Sequence, residues 1–232
     1  MAELLGDYPS LLNSFIEAGY TTRFFSDPIS RSHQLLLRHD IDFDCHLAEK
    51  LAEIEHEFGL KATYFFLVSS DSYNLLSSKN ASSLGRIRNM GHNIGLHFDP
   101  TRHKDTESGL KKEIAIMEDN FDLKIDIISL HRPSETYIGN DQPIAGYDHT
   151  YRSEFVKKIA YYSDSGGSFK FGHPLDSCEF HQRKSMQLLT HPIWWTLKGY
   201  SAQEVMENHI TNNHKALQLH ISKNCKSYHP KA

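Results

Sequence analysis

The chain alternates between short apolar runs and longer amphipathic stretches. Residues 11–18 repeat apolar side chains at helical spacing and stop near Gly19. Residues 35–42, Leu-Leu-Leu-Arg-His-Asp-Ile-Asp, form an apolar run that turns into acids, as a buried strand does at its end. Residues 45–58 place Leu47, Leu51, Ile54 and Phe58 along one helical face, with Gly59 as the stop. The same alternation continues: a strand at 61–69, a short helix at 84–90, a strand at 93–98, a helix at 110–121 and a strand at 125–131. A short helix is expected at 155–158, a fifth strand at 159–163 and a sixth at 186–190. A last helix is expected over 201–216, opened by a capping box of Ser201 and Glu204.

Strand and helix alternating in this way imply a parallel sheet with right-handed crossovers. The units are too few for an eight-fold barrel. An incomplete, distorted barrel in a single α/β domain spanning residues 1–232 fits the count, with an open doubly wound sheet as the alternative. Residues 133–152 are rich in Gly, Pro, Asp and Tyr and read as a long loop that shapes substrate choice, with Tyr137 as a candidate substrate contact.

Composition narrows the function. A formal net charge of -4 without basic blocks gives no electrostatic support for nucleic-acid binding. No run reaches the roughly 18 apolar residues of a membrane span, and the first twenty residues lack the pattern of a signal peptide. The expected location is the cytoplasm. Cys45, Cys178 and Cys225 lack metal-site spacing, so the expectation is reduced thiols and no zinc-cysteine site. The 16 histidines change the picture more, because histidine is both the commonest metal ligand and the neutral-pH proton carrier.

The expected strands end in groups of that kind: Asp40 and Asp42, His97, His131 with Arg132, Asp164, and His191. Parallel α/β folds gather the C-terminal ends of their strands on one face. Asp40 and Asp42, two apart on a strand, point the same way. Their repulsion calls for a cation or a shared proton. One is a candidate metal ligand and the other a general base, and Asp44 is free to cap the helix behind them. Aspartate with His97 and His131 suits zinc or a similar ion. Arg132 is a candidate for steadying a catalytic carboxylate or binding a polar substrate group. His191 is the candidate general acid, with Asp164 to orient it and raise its pKa. Trp194 and Trp195 offer aromatic faces for a sugar ring, one of the two being expected in the core.

Taken in order, RHDID, ATYFF, GHNIGLH, HRP, SDSGG and LLTHPIWW resemble the motifs of the polysaccharide deacetylase family (NodB homology, carbohydrate esterase family 4). The resemblance runs from about residue 35 to 195. It implies a distorted (β/α)7 barrel, one divalent metal ion, most often zinc, and hydrolysis of an N-acyl group (acetyl or formyl) from an amino sugar. It implies Asp40 as base, Asp42 as ligand (the swap left open), and His191 as acid. The family's adjacent aspartates are here separated by Ile41. Its second histidine, four residues after the first, is here Thr101, so the third ligand falls to His131 in preference to His103. The implied partner is an N-acylated sugar, a nucleotide-sugar or a lipid-linked glycan precursor. The alternatives are a non-sugar amide or ureide as substrate, or an inactive sugar-binding or scaffold protein.

Overall fold

The computed structural model describes residues 4–30 and 32–230. The chain opens with α1 (Tyr8–Glu17), β1 (Thr21–Thr22), β2 (Gln34–Ile41), α2 (Cys45–Glu57), β3 (Ala62–Phe66), α3 (Ser78–Asn89), β4 (Asn93–Phe98), α4 (Thr106–Phe121) and β5 (Ile127–Leu130). It continues with β6 (Asp148–His149), α5 (Ser153–Val156), β7 (Ala160–Ser163), α6 (Cys178–His181), β8 (Met186–Thr190), α7 (Ile193–Thr196) and α8 (Ala202–Asn224). Every pairing between these strands is parallel, in the order β6-β5-β4-β3-β2-β8-β7, with β1 beside the start of β2. The sheet curls into an incomplete barrel, a single α/β domain whose seam lies between β6 and β7. Gln187 of β8 crosses the interior and donates to the carbonyls of Thr150 and Phe155, which anchors the segment closing that seam.

The open-sheet alternative is thereby set aside. Several boundaries differ from expectation for local reasons. α4 begins at Thr106 because Asp105 caps it, accepting from the Glu107 and Ser108 amides. α3 begins at Ser78, capped by Ser77, although its first turns are polar and carry no apolar period. α8 runs on to Asn224, past 216. Residues 133–152 are not wholly loop, since Asp148–His149 joins the sheet against Ile127 and Ile128. Asp44 caps α2 through the His46 and Leu47 amides, leaving Asp40 and Asp42 free.

The barrel interior is layered. Phe25, Leu36, Phe65, Ile127, Phe155 and Ile159 fill its closed end. Gly95 faces the same space: a Cβ there would meet two carbons of the Phe65 ring at 2.4 Å and the Ile127 carbonyl at 3.1 Å. The larger apolar core lies outside the barrel, between sheet and helices. Among the described residues, no helix is long and apolar enough to cross a membrane.

Gly95→Ala is expected to destabilise the fold by about 1–3 kcal/mol, because a packed ring must move aside for the new methyl. Urea unfolding measures this. Unchanged stability would mean that Phe65 has room to swing away.

Candidate metal and acid-base site

Above the apolar layer the interior turns polar, and the cause lies in β2. Period-two alternation sends Arg38 and Asp40 inward together. Arg38 is fully buried. Its Nε donates to Asp40 Oδ1 at 3.0 Å and a terminal nitrogen donates to Oδ2 at 2.8 Å, a bidentate clamp. The remaining donors go to Gln187 Oε1, Ser129 Oγ and the Tyr151 hydroxyl, at 3.3, 2.6 and 2.9 Å. The guanidinium carbon also stands 4.5 Å from the Tyr151 ring centroid. Ser129 Oγ donates on to Asp40. Burial alone would raise the Asp40 pKa; the charge and hydrogen bonds of Arg38, together with His97 and His191, outweigh it and hold the carboxyl below its ordinary value.

One level higher, three strands deliver their last side chains to one point. Asp42 follows β2, His97 is the penultimate residue of β4 and His131 follows β5. His97 Nδ1 lies 3.3 Å from the Ser129 carbonyl, which only accepts, so that nitrogen carries a proton and Nε2 is the atom turned toward Asp42. Burial lowers the His97 pKa, but the Asp40 and Asp42 carboxylates together outweigh it and raise it, which draws a positive charge to this point. His97 Nε2 is 3.2 Å from Asp42 Oδ1, His131 Nδ1 is 3.5 Å from the same oxygen, and the two nitrogens are 3.2 Å apart. Asp40 stands farther off, its Oδ2 at 3.7 Å from His97 Nε2. The carboxylate grouped with the two imidazoles is therefore that of Asp42.

This triangle suits a divalent ion. Ligands about 2.0–2.1 Å from a tetrahedral ion stand roughly 3.3 Å from one another, which the three distances match. Asp42 Oδ1 is buried and lacks a hydrogen-bond partner. Without protons or a cation, one anionic oxygen and two imidazole lone pairs would face each other. The Nδ1–H of His97, donated to a backbone carbonyl, is the arrangement that orients metal-bound histidines.

Facing this group is His191, just after β8. Its Nδ1 lies 2.6 Å from Asp164 Oδ1, and its Nε2 lies 3.8 Å from Asp42 Oδ2. Asp164 is fully buried, and accepts also from the His191 amide and from Trp195 Nε1 at 2.7 Å. Burial pushes the His191 pKa down, but the charge and hydrogen bond of Asp164, with the Asp42 and Asp40 carboxylates beyond it, outweigh that and lift the value to about 9. At neutral pH the ring is an imidazolium, and Nε2 carries a transferable proton.

These groups line a cleft of about 520 Å³, within the range of small-ligand sites. Trp194 forms part of its wall but is only 8% exposed, so it offers little stacking area. Both tryptophans are buried in the core, and Trp195 serves Asp164. Two expectations need correcting. Arg132 does not hold Asp40; Arg38 does. Arg132 lies on the cleft wall, exposed, with a left-handed backbone (φ 50°) and no hydrogen-bond or ionic partner among the described residues. Tyr137 does not reach the cleft. Its loop is fastened back by the Gly139 amide donating to the Tyr151 carbonyl at 2.7 Å, and its ring packs near His149. His103 lies elsewhere too, stacked on Phe98 with Nε2 donating to Glu113 at 2.8 Å.

Arg38→Met leaves Asp40 buried without its counter-charge and is expected to cost roughly 3–5 kcal/mol at pH 7. Asp40 has a depressed folded pKa, so its contribution is full above about pH 4 and is lost as pH falls through the folded value. The deficit of Arg38→Met in the metal-free protein should therefore shrink on acidification. Chemical denaturation at pH 7 and pH 3.5 tests this; a deficit equal at both would show that Arg38 does not serve the Asp40 charge.

No family model and no curated relative matches the chain. Solved structures do. The peptidoglycan deacetylase PdaC from Bacillus subtilis is 12% identical, over 88% of this chain and 100% of that one, with a TM-score of 0.50. A family 4 carbohydrate esterase from Bacillus anthracis is 15% identical, over 96% of this chain and 88% of that one, with a TM-score of 0.45. A pseudoenzyme of that esterase family, also from Bacillus anthracis, is 16% identical, over 83% of this chain and 66% of that one, with a TM-score of 0.42. Likeness at this level of identity is one of architecture: the chain carries the polysaccharide deacetylase fold.

Proposed function

We propose that the protein is a metal-dependent hydrolase that removes an N-acyl group, acetyl or formyl, from an amino sugar or glycan precursor. The observation that carries this reading is the triangle of Asp42 Oδ1, His97 Nε2 and His131 Nδ1 beside the Asp164-braced His191. A divalent ion held by those three ligands, zinc on the chemistry of the donor set, would polarise the acyl carbonyl and make a water acidic near neutral pH.

The residues then divide the proton transfers. Asp40 is ionised and takes the proton of the attacking water. Arg38 and Ser129 make it a weak base at rest, so it is matched to a water already made acidic. His191 gives its Nε2 proton to the nitrogen as the C–N bond breaks, and Asp164 stabilises the imidazolium until then. Asp40 gains one proton and His191 loses one; a carboxylic acid and a free amine leave. Arg132 on the cleft wall is available to a polar or anionic part of the substrate.

The test is acetate release from N-acetylated chito-oligosaccharide and from a nucleotide-linked N-acetyl sugar by protein loaded with one equivalent of zinc. Asp42→Ala should lose the ion and the activity together. His191→Ala should keep the ion and lose about 10²–10⁴ in kcat. Activity confined to a cyclic ureide would change the substrate class. A zinc-loaded protein inert on all three would leave a sugar-binding role, and a protein that takes up no zinc would remove the mechanism.

A further inference from the structure

A second buried charge lies outside the cleft, and the chemistry above makes no use of it. Glu55 of α2 is fully buried between that helix and the outer face of the sheet. It accepts from the Tyr8 hydroxyl at 2.6 Å and the Tyr64 hydroxyl at 2.7 Å. His39 Nε2 stands 2.8 Å from its Oε1, a close polar contact whose angle makes no hydrogen bond. His39 points outward for the reason that Arg38 and Asp40 point inward: it occupies the odd position of β2. Its other nitrogen, Nδ1, stands 2.6 Å from Thr190 Oγ1. His39 and Thr190 are register partners across β2 and β8. The next residues along those strands are Asp40 and His191.

A second arm leaves the same carboxylate. The Tyr8 ring packs against Trp195, centroids 5.1 Å apart. Trp195 donates to Asp164, and Asp164 holds His191. Both arms from Glu55 thus end beside groups of the cleft, yet Glu55, His39 and Thr190 do not line it.

Burying a carboxylate this completely is a poor route to stability, because an apolar patch of equal volume commonly serves as well. The His39–Thr190 hydrogen bond does something an apolar patch cannot: it favours one height of β2 against β8, and Glu55 abuts the far side of the same ring. We propose that Glu55, His39 and Thr190 form a positioning cluster that sets β2 against β8, and through them Asp42 opposite His191. The inference rests on the metal reading of Asp42.

Cobalt(II) titration of the metal-free protein, followed by visible absorption, tests it without any substrate. Thr190→Val removes the hydroxyl while keeping the side-chain volume. It should weaken cobalt binding about tenfold, in line with other groups that orient metal ligands, and alter the absorption band. Its melting temperature should stay within a few degrees of wild type, and Thr190→Ser should restore affinity and band together. Glu55→Gln should shift both in the same direction as Thr190→Val. Thr190→Val with wild-type cobalt affinity and spectrum overturns the positioning role alone. Wild-type protein that takes up no cobalt overturns the metal site itself, and this inference with it.

Discussion

A guanidinium inside a barrel is the constraint around which the upper half of this structure is arranged. Arg38 lies in mid-strand with no exposure, so each of its donors must be met by protein. Asp40 supplies the charge, and Gln187, Ser129 and Tyr151 supply the rest. Those partners come from β8, from β5 and from the segment that closes the barrel seam. The pair makes a nearly neutral floor under the cleft, and it separates the apolar plug of Phe25, Leu36 and Phe65 from the ligand set. Removing either member would leave the other charge buried and alone, which explains why the two belong on one strand, two residues apart.

The same floor orients the layer above it. Ser129 accepts from Arg38 and donates to Asp40 through its hydroxyl, while its backbone carbonyl takes the Nδ1 proton of His97. One residue therefore ties the buried ion pair to the tautomer of a candidate ligand. That tautomer turns Nε2 toward Asp42 and His131. On the opposite wall Asp164 holds His191 by the same nitrogen, Nδ1, and keeps the ring charged. An acceptor behind each ring thus sets which nitrogen faces the cleft.

Much of this was legible in the sequence. Strand ends rich in Asp and His announced the face, and the apolar run at 35–42 announced the strand that carries both carboxylates. Arg38 was legible in principle, as an arginine in an otherwise apolar run, in phase with Asp40 and Asp42. Its sign was overshadowed by Arg132, which adjoins a histidine and a proline at a strand end. Ser129 and Gln187 carry no such sign, since a serine or glutamine in a short strand reads as ordinary polarity. Their roles arise only when β5 and β8 are bent toward one interior. Tyr137 shows the opposite failure. A long loop after a site-bearing strand is a fair place to expect substrate contacts, but here backbone hydrogen bonds fold it back, and two of its last residues become a strand.

The third ligand shows what a motif spacing measures. Family resemblance places a histidine at position 101, but Thr101 lies in a short turn where it donates to Asp99 Oδ1 at 2.6 Å, committed to local structure. His131 arrives from the neighbouring strand instead. β4 and β5 pair with His97 opposite Ser129, so the residue two beyond Ser129 points the same way, and its Nδ1 comes within 3.2 Å of His97 Nε2. A position on the next strand can therefore do the work of a position four residues along the loop. What the ion would require is a triangle of lone pairs about 3.3 Å on a side, and the fold can draw its corners from any strand end that faces the axis. The broken spacing is for that reason weak evidence for an inactive protein. The stronger evidence would be a missing corner, and the three corners are present.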